Sequence, residues 1–352
     1  MTLLISYSDV APHVTPEEAI NCVEHGFRDF TLDPTINHPR RRLHVYSENV
    51  VSRLNSHMGA IPSLNVTGVY INHHHMQRKL LGKEIEQRTG SEGIGYYILY
   101  NTASGDPLCI IYRQQTYDER SPDIRTAATT TLGVKLLARK NAHSIGLFGS
   151  GFEARIHLPM LCSIRDVKQI MVYSPTQSHR DKFAQEMSAQ LEKNVLAVSD
   201  PEKLVRESDI IVCATNANVP VFNGDWLEPG THVTAIVGST FKKLGLRRRE
   251  LDDRTVERSD LLIVNSKEQI IEDDVGNIVE PMAKGVITMD RIHELGDLLS
   301  GKCEGRTNDN QITLFFNNAG QGVADVAVAY LIFRKAVEKG IGTQLEKPEI
   351  LL

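Results

Sequence analysis

A glycine-rich turn near the middle of the chain carries the clearest chemical signal in the sequence. Residues 145–154 read Ile-Gly-Leu-Phe-Gly-Ser-Gly-Phe-Glu-Ala, an apolar run that leads into a Gly-x-Gly-x-x-Ala pattern. In this pattern the first glycine permits a tight turn, the second lets a pyrophosphate approach the backbone, and the alanine lets the next helix pack closely. Free N–H groups at the start of that helix favour phosphate. The predicted cofactor-binding residues of the turn are Gly149, Ser150, Gly151, Phe152, Glu153 and Ala154.

The residues after the following predicted strand indicate which dinucleotide is bound. Enzymes that prefer NAD place an acidic residue at this strand end, where it holds the ribose 2′-hydroxyl. Here Tyr173 is followed by Ser174, Pro175 and Thr176, with Arg180 close behind. Because hydroxyl groups and a cation suit a 2′-phosphate, the sequence predicts NADP(H) rather than NAD(H).

The second half of the chain alternates predicted strands with helices. Near-continuous apolar runs such as residues 209–214 are typical of strands buried on both faces of a parallel sheet. Thr215 and Asn216 follow that run, at the strand end where doubly wound sheets bind their cofactor, and are predicted to contact it. The predicted strands are 144–148, 168–173, 195–198, 209–214, 231–237 and 260–264, and the flanking helices are 125–139 and 324–338.

The first third has a different pattern. A strand at 3–7 precedes Thr15-Pro-Glu-Glu, which combines an N-cap, a proline at the first helical position and a capping box. The predicted strands then come in short succession, with polar turns between them and a hairpin loop after Tyr100. They are 43–46, 63–71, 94–100 and 108–112. The sequence therefore predicts an α/β protein with a Rossmann doubly wound parallel sheet and a second α+β domain with a mostly antiparallel sheet.

Composition restricts the class of protein. A chain of 352 residues predicts two domains. With 39 basic and 44 acidic side chains the net charge is −5, which predicts no general attraction to nucleic acid or to a membrane. The five cysteines have no metal-binding spacing, so no metal site is predicted and a reducing compartment is expected. Neither a signal peptide nor a membrane-spanning run is recognised, and the predicted location is cytoplasmic.

Taken together, the motifs resemble those of the ornithine cyclodeaminase/μ-crystallin family of NAD(P)-dependent enzymes. The resemblance extends over nearly the whole chain and depends on the order and spacing of many motifs. These are Arg125-Thr-Ala-Ala, Gly149-Ser-Gly-Phe-Glu-Ala, Arg249-Glu-Leu-Asp, Lys267-Glu-Gln, His293-Glu-Leu-Gly-Asp-Leu-Leu-Ser-Gly-Lys, Gly305-Arg, Ile312-Thr-Leu-Phe and 320–325.

The resemblance implies a division of labour between two domains. Residues 126–319 would form the NAD(P)-binding Rossmann domain. Residues 1–125, joined by the returning C-terminal residues 320–352, would form a domain that binds substrate and makes a homodimer. The step shared by the family is hydride transfer between nicotinamide and the α-carbon of an amino or imino acid, which predicts a small amino or imino acid as substrate.

The substrates of such enzymes carry a carboxylate, which a guanidinium binds with two parallel hydrogen bonds. The resemblance places such an arginine at Arg125 and a second one within residues 40–42. Alternation along a strand would put Arg40 and Arg42 on one face, so one or both are predicted to bind substrate. The alternative is a solvated basic edge strand. Asp325 matches a family aspartate near the active site, and a structural salt bridge is the alternative for it.

The resemblance does not supply the proton donor, because the family usually carries a lysine after Gly-Val near residue 70 and this chain does not. Here Tyr70 stands in that place, and three histidines begin at His73. A tyrosine or a histidine can donate a proton to a forming amine. Tyr70 and His73 are therefore predicted as catalytic residues alongside Arg125 and Asp325. The alternatives are that Tyr70 packs in the sheet, that the histidines line a loop, and that water supplies the proton.

A second departure concerns cyclodeamination. Ornithine cyclodeaminases carry an aspartate after the glycine of the segment at Val237 and Gly238, whereas Ser239 follows here. The carboxylate that would handle a second amine is missing, which argues against that reaction. The resemblance also places Val237, Gly238, Asn318 and Gly320 at the cofactor. A helix N-cap is the alternative for Asn318, and the two roles are compatible.

The sequence therefore predicts an NADP(H)-dependent oxidoreductase that transfers hydride to or from the α-carbon of an imino or amino acid. Two alternatives stay open at this point. One is an amino-acid cyclodeaminase, a lyase that regenerates its nicotinamide within each turnover. The other is a cofactor-bound binding protein of the crystallin type with little turnover.

Overall fold

Two compact units make up the chain. The computed structural model describes residues 2–47, 50–81, 84–89, 94–114, 124–236, 248–318 and 320–346. The first unit consists of Met1–Arg125 and Gly320–Leu352, and the second of Thr126–Ala319. These bounds do not by themselves show which unit binds the substrate and which binds the cofactor.

The first unit is built on a mainly antiparallel sheet. Its described strands run in the order β16-β1-β7-β6-β4-β3-β2, and β5 pairs with β4. Only the β1–β7 pair is parallel among these. The elements are β1 Thr2–Ser6, α1 Tyr7–Val10, α2 Pro16–Leu32, β2 Arg41–Tyr46, β3 Val50–Ile61, β4 Val66–Leu81, β5 Glu84–Thr89, β6 Ile94–Asn101, β7 Pro107–Gln114, α11 Gly322–Lys339 and β16 Thr343–Leu345.

Local signals in this unit predict some elements well and others poorly. The capping box of α2 is confirmed, with Thr15 as N-cap and Glu18 as its partner. The strand predicted at 63–71 instead begins with a short 3-10 turn, Pro62–Leu64, and continues to Leu81 as β4. Strand β3 was not predicted, because its apolar and polar residues do not alternate cleanly. It is held by pairing with β4 along its whole length.

Helix α11 begins very close to β3, and two glycines make this approach possible. A Cβ added at Gly59 would lie 2.4 Å from the carbonyl carbon of Gly322, and one added at Gly322 would lie 1.8 Å from the carbonyl oxygen of Met58. The side chain of Asn37 accepts a hydrogen bond from the backbone N–H of Val323 at 3.1 Å. These contacts fix the first turn of α11, which carries Asp325.

Helix α3, Ile124–Leu137, contains the boundary between the two units, and Arg125 lies in its first turn. The second unit has a parallel sheet whose described strands run in the order β10-β9-β8-β11-β12-β15-β13-β14. Its elements are β8 Ser144–Phe148, α4 Phe152–Ile164, β9 Gln169–Tyr173, α5 Gln177–Leu191, β10 Val195–Ala197, α6 Pro201–Arg206, β11 Ile210–Cys213, β12 His232–Ala235, α7 Asp253–Arg258, β13 Leu261–Val264, α8 Lys267–Asp273, α9 Gly276–Ala283, β14 Ile292–Glu294, α10 Leu295–Ser300 and β15 Thr313–Phe316.

The direction of winding reverses between β8 and β11 in this sheet, which is the place where such folds bind a dinucleotide. The strand predicted at 144–148 has the same bounds in the structure, and the other five predicted strands are found within two residues. Two further strands of this sheet, β14 and β15, were not predicted. The predicted fold class, a Rossmann doubly wound sheet with a second α+β domain, is confirmed.

Candidate active site

The glycine-rich turn after β8 requires glycine at its first position. Gly149 has a φ of +106°, a backbone conformation that side chains rarely adopt. A Cβ at this position would also lie 2.2 Å from the carbonyl oxygen of Ala214. The backbone N–H of Gly149 donates to the carbonyl of Tyr173 at 2.9 Å, which joins the ends of β8 and β9.

The second glycine of the turn borders open space. Gly151 is the N-cap of α4, and a Cβ built on it would have no other atom within 4 Å. Ala154 is fully buried, so the helix packs closely as the motif predicts. A bare backbone beside a helix N-terminus with room in front of it fits the pyrophosphate of a dinucleotide. Ser150 lies in the turn, and Phe152 and Glu153 are the first two residues of α4.

The end of β9 carries no acidic residue before α5. Ser174 is buried and its carbonyl accepts a hydrogen bond from Nη1 of Arg180 at 3.1 Å. Thr176 is exposed and is the N-cap of α5, with no hydrogen bond from its side chain to the helix. The three residues predicted to face a 2′-phosphate therefore lie together at this strand end.

A buried carboxylate that the sequence did not single out organises the end of β11. Oε1 of Glu250 accepts hydrogen bonds from the backbone N–H and the hydroxyl of Thr215, both at 2.7 Å, and Oε2 accepts the N–H of Ile236 at 3.1 Å. Asn216 is exposed, and its side-chain oxygen accepts from Arg248 at 3.2 Å. In the sequence Glu250 stands out only as part of a motif. The residues next to it in the chain do not indicate that it binds Thr215 and Ile236. Val237 and Gly238 lie outside the described residues.

Asn318 links the ends of β15 and β13. Its side-chain oxygen accepts from the N–H groups of Asn265 at 2.9 Å and Ser266 at 3.3 Å, and its amide donates to the carbonyl of Ser266 at 2.8 Å. The alternative of a helix N-cap is wrong, because Gln321 is the N-cap of α11. Gly320 has a φ of +81°, and a Cβ there would lie 2.2 Å from Nη1 of Arg40.

In the first unit, Arg125 and Asp325 are joined by a buried ion pair that includes a third residue. Nε of Arg125 donates to Oδ1 of Asp325 at 3.0 Å, and Nδ1 of His57 lies 2.7 Å from Oδ2 of the same carboxylate. Asp325 is fully buried, and Arg125 and His57 are 8% and 4% exposed. The interpretation of Asp325 as part of a salt bridge is therefore confirmed.

His57 is the member of this cluster that the sequence analysis missed. It belongs to no motif, it lies on a strand that was not predicted, and it meets Asp325 from far away in the chain. Register places it on one face of the sheet, opposite Tyr70 on β4, which in turn lies opposite Tyr97 on β6. Three side chains from three neighbouring strands therefore form one row, and His57 at the end of this row contacts Asp325.

The aromatic rings of this row pack tightly against each other. Tyr70 is 3% exposed and stacks on Tyr97 with ring centroids 4.1 Å apart. The imidazole of His57 meets the Tyr70 ring edge-on at 5.4 Å. His73 lies on the opposite face of β4, because side chains alternate along a strand. It is exposed and bonds through Nε2 to the hydroxyl of Ser52 at 2.7 Å.

The two candidate arginines before and within β2 differ in burial. Arg40 is buried beside Gly320, whereas Arg42 is half-buried on β2 and lies opposite the buried Asn55. Alternation predicted the same environment for both. They differ because Arg40 precedes the strand, so the pairing that orients Arg42 does not extend to it.

Burial controls the ionisation of this face. It lowers the pKa of His57, while Asp325 acts in the opposite direction and the positive charges of Arg40 and Arg125 lower it further. Burial, with the nearby Arg53, lowers the pKa of His74 to about 3. Burial raises the pKa of Tyr97 well above its usual value. These histidines are therefore neutral at neutral pH.

Two further features bear on the class of site. Within the described ranges, no group of three or more histidine, cysteine, aspartate or glutamate side chains could hold a metal ion. The described helices include none that is both long and apolar enough to cross a membrane.

Comparison with known proteins gives several full-length matches. The chain is 30% identical to a Delta(1)-pyrroline-2-carboxylate reductase of Bacillus cereus over 345 residues, 98% of this chain and 99% of that protein. It is 27% identical to an alanine dehydrogenase of Archaeoglobus fulgidus, with 98% of each chain covered.

Among solved structures, Delta(1)-pyrroline-2-carboxylate reductase of Thermococcus litoralis, in complex with NADH and L-proline, superposes with a TM-score of 0.82. Its sequence is 29% identical, and the match covers 97% of this chain and 100% of that one. These relatives confirm the predicted class of protein, an NAD(P)-dependent oxidoreductase. The family model of the ornithine cyclodeaminases and mu-crystallins matches residues 1–340. The chain belongs to the ornithine cyclodeaminase/mu-crystallin family.

Proposed function

We propose that this protein is an NAD(P)H-dependent reductase of α-imino acids that also oxidises the corresponding amino acids. The observation that carries the proposal is the buried cluster of Arg125, Asp325 and His57, which combines a carboxylate ligand with a group able to exchange a proton. The full-length relatives support it, since they include a pyrroline-2-carboxylate reductase and an alanine dehydrogenase.

In this proposal the second unit holds the cofactor. The open space beside Gly151 accommodates the pyrophosphate, and Gly149 keeps the turn tight enough to present it. Thr215 follows β11 and is held by Glu250, and Asn318 follows β15 and is held by the backbone after β13, which suits residues that border a ligand. When bound, a reduced nicotinamide supplies the hydride.

The first unit binds the substrate carboxylate. Arg125 is the main ligand, and its guanidinium is oriented by Asp325 through Nε, which leaves the planar group aligned for a carboxylate. Arg40 is the second ligand, because it is buried and its Nη1 lies against Gly320. Arg42 is less favoured because it is half-buried further along the sheet, and His73 is not part of the proposal because it lies on the other face of β4.

We also propose that the protein binds NADP(H) more tightly than NAD(H). This preference is supported by Ser174, Thr176 and Arg180 at the end of β9 and by the lack of an acidic residue there. A hydrogen bond to a charged phosphate contributes about 1.5–3 kcal/mol, which predicts roughly ten- to a hundred-fold tighter binding of NADPH.

Fluorescence titration with NADPH and NADH tests this preference. Arg180→Ala should weaken NADPH binding and leave NADH unchanged. Lys182→Ala is the matched control, because Lys182 is an exposed cation of the same helix that pairs with Glu186. Equal affinities for the two cofactors in the unaltered protein would contradict the preference.

The proposed assembly is a homodimer formed through the outer face of the first unit's sheet. Apolar side chains on this face remain exposed in the single chain, among them Leu43, Val45, Leu54, Met58, Tyr96 and Tyr112. An apolar surface of this extent is typical of an interface. An archaeal alanine dehydrogenase with the same fold is described as a dimer.

Light scattering tests this assembly and should give twice the monomer mass for the unaltered protein. Leu43→Glu should lower the measured mass toward that of a monomer. Leu32→Glu is the control and should leave the mass unchanged, because Leu32 is an exposed residue of α2.

Turnover assays test the proposed reaction directly. The protein is incubated with NADPH or NADH and Delta(1)-pyrroline-2-carboxylate, iminosuccinate, or pyruvate with ammonia, and the nicotinamide absorbance is followed. Loss of absorbance matched by amino-acid formation supports the proposal. Ammonia release from ornithine or lysine without net change in nicotinamide would identify a cyclodeaminase instead. Cofactor binding with no turnover of any of these compounds would favour a binding protein.

A further inference from the structure

The proposed reaction does not name the atom that exchanges a proton with the substrate, and His57 is the imidazole of the buried cluster. Its side chain is 5% exposed to solvent, and Nδ1 of the imidazole is hydrogen-bonded to Asp325. The other oxygen of that carboxylate binds Arg125, the proposed ligand of the substrate carboxylate. One buried aspartate therefore orients both a guanidinium and an imidazole, and a substrate held by the first is brought near the second.

The bond to Asp325 also determines which ring nitrogen carries a proton. An ionised carboxylate only accepts hydrogen bonds, so Nδ1 of His57 must be the donor. Nε2 then has a lone pair in the neutral ring and a proton in the imidazolium form. Because the Tyr70 ring packs edge-on against the imidazole, the ring has a fixed plane and Nε2 a fixed direction.

The other proton donors considered from the sequence are placed less favourably. Tyr70 lies between the rings of Tyr97 and His57 and is almost fully buried. His73 projects from the opposite face of β4. His74 shares the face of Tyr70 but lies four residues further along, about 13 Å at the usual rise of a strand. Of the described side chains in this row, His57 is the one held by both Asp325 and a neighbouring strand.

We propose that Nε2 of His57 is the group that exchanges a proton with the substrate nitrogen. This inference rests on the proposed function. In the reductive direction the imidazolium form is the donor, so the ring must first take up a proton and the rate should rise as the pH falls toward the lowered pKa. The N–H bond at Nε2 then breaks, and its electron pair stays on the imidazole, which becomes neutral. The lone pair of the imine nitrogen forms the new N–H bond, and the resulting iminium carbon is a better acceptor for the hydride that a reduced nicotinamide supplies. Water then returns a proton to the ring.

The charges around His57 define how this exchange depends on pH. Tyr70 and His74 share its face of the sheet. Burial has the largest effect and disfavours the imidazolium, Asp325 on α11 favours it, and Arg40 before β2 and Arg125 on α3 disfavour it further. The pKa of His57 is lowered from 6.5 as a result. At neutral pH the ring is neutral and ready to accept a proton from an amine. Amino-acid oxidation should therefore lose rate as the pH falls below 6.5, through the lowered pKa.

A pair of substrates separates proton exchange from structural support. Delta(1)-pyrroline-2-carboxylate needs a proton on its nitrogen, whereas its N-methyl iminium analogue carries a permanent positive charge and needs none. His57→Gln should lower kcat/KM for the imine by about 10²–10⁴, the usual contribution of a positioned acid. The same variant should lower kcat/KM for the N-methyl iminium less than about tenfold. Equal losses on both substrates would overturn the proposal.

Two further measurements keep the test decisive if the variant folds poorly. In the unaltered protein, the pH profile for the imine, corrected for the imine's own ionisation, should contain a group that the N-methyl iminium profile lacks. Imidazole NMR should show one histidine whose pKa shifts when L-proline binds and whose signal is absent in His57→Gln. Matching pH profiles, or an unshifted histidine, would contradict the proposal.

A matched control measures what the loss of a buried histidine costs in itself. His232 is fully buried in the second unit, where Nδ1 lies 2.9 Å from the Thr313 hydroxyl, and burial lowers its pKa to about 3. His232→Gln should therefore change stability without changing the ratio of the two substrates. Absence of turnover of either substrate by the unaltered protein would reject the proposed function, whereas turnover of both with an unchanged ratio in His57→Gln would reject this inference alone.

Discussion

The two units satisfy their buried polar groups in different ways. In the second unit, side chains at the strand ends bond mostly to the backbone: Glu250 accepts N–H groups of Thr215 and Ile236, and Asn318 bonds both the N–H and the carbonyl of Ser266. In the first unit, Arg125, Asp325 and His57 bond to each other. Hydrogen bonds to the backbone stabilise the conformation of the main chain, whereas bonds between ionisable side chains stabilise particular protonation states of those side chains. The second unit's polar side chains therefore hold backbone geometry, whereas the first unit's cluster consists of ionisable groups, as the proposed proton exchange requires.

Removing the carboxylate of the first unit should have the largest effect on this comparison. Asp325→Ala takes the anion from Arg125 and from His57, and breaking a buried ion pair costs about 3–5 kcal/mol of unfolding free energy. Urea denaturation measures the loss. Asp325→Asn is the control, because it keeps the size of the side chain and one acceptor oxygen. If Asp325→Ala unfolded at the same urea concentration as the unaltered protein, the cluster would not contribute to stability.

Arg125→Ala should affect catalysis more selectively. Losing a hydrogen bond to a charged carboxylate costs about 1.5–3 kcal/mol, so kcat/KM for an imino acid should fall by about ten- to a hundred-fold. Affinity for the dinucleotide should stay close to that of the unaltered protein, as measured by fluorescence titration. A loss of cofactor binding of similar size would show that Arg125 does not act on the substrate alone.

In the second unit, Asn318→Ala should cost about 1–3 kcal/mol, the penalty for leaving buried backbone groups without a partner. The main loss should be in stability and cofactor affinity, with little change in the shape of the pH profile. Thermal unfolding with and without NADPH measures both quantities. A shifted pH profile of kcat/KM in this variant would mean that Asn318 also affects the protonation of the catalytic groups. The two units would then not differ in the way proposed.

The smallest effect is expected for Tyr70→Phe. The stacked ring remains, and the loss of one hydroxyl typically changes stability by about 0.5–1.5 kcal/mol. If His57 exchanges the proton, kcat/KM should change only a few-fold. A loss of a hundred-fold or more, at unchanged stability, would make the Tyr70 hydroxyl the proton donor in place of His57.

The contrast also explains what the sequence could predict. The strands of the second unit are continuous apolar runs buried on both faces, and the glycine-rich turn is local, so both are visible in a short window of sequence. The row of Tyr97, Tyr70 and His57 depends on the register of three strands, one of which has no clean alternation. Asp325 reaches His57 only through folding of distant segments.

Similar limits apply to the site residues. Arg125 and Asp325 were identified by resemblance, but their mutual bond and the third partner were not, because a motif records residue types and not contacts. Glu250 belongs to a motif that does not by itself predict the hydrogen bonds that Glu250 accepts at the end of β11. Local patterns therefore predicted the glycine-rich turn, whereas the charged cluster required three-dimensional information.

The order of segments along the chain has a consequence for synthesis. Residues 126–319 make up the whole second unit, whereas the first unit also needs α11, which carries Asp325, and β16, which pairs with β1. Domains generally fold as units while the chain emerges from the ribosome. The unit that is begun first is thus completed last. A nascent chain can hold a finished second unit while His57 and Arg125 still lack their common carboxylate, so the cluster proposed to bind substrate and exchange a proton is complete only when α11 has been made.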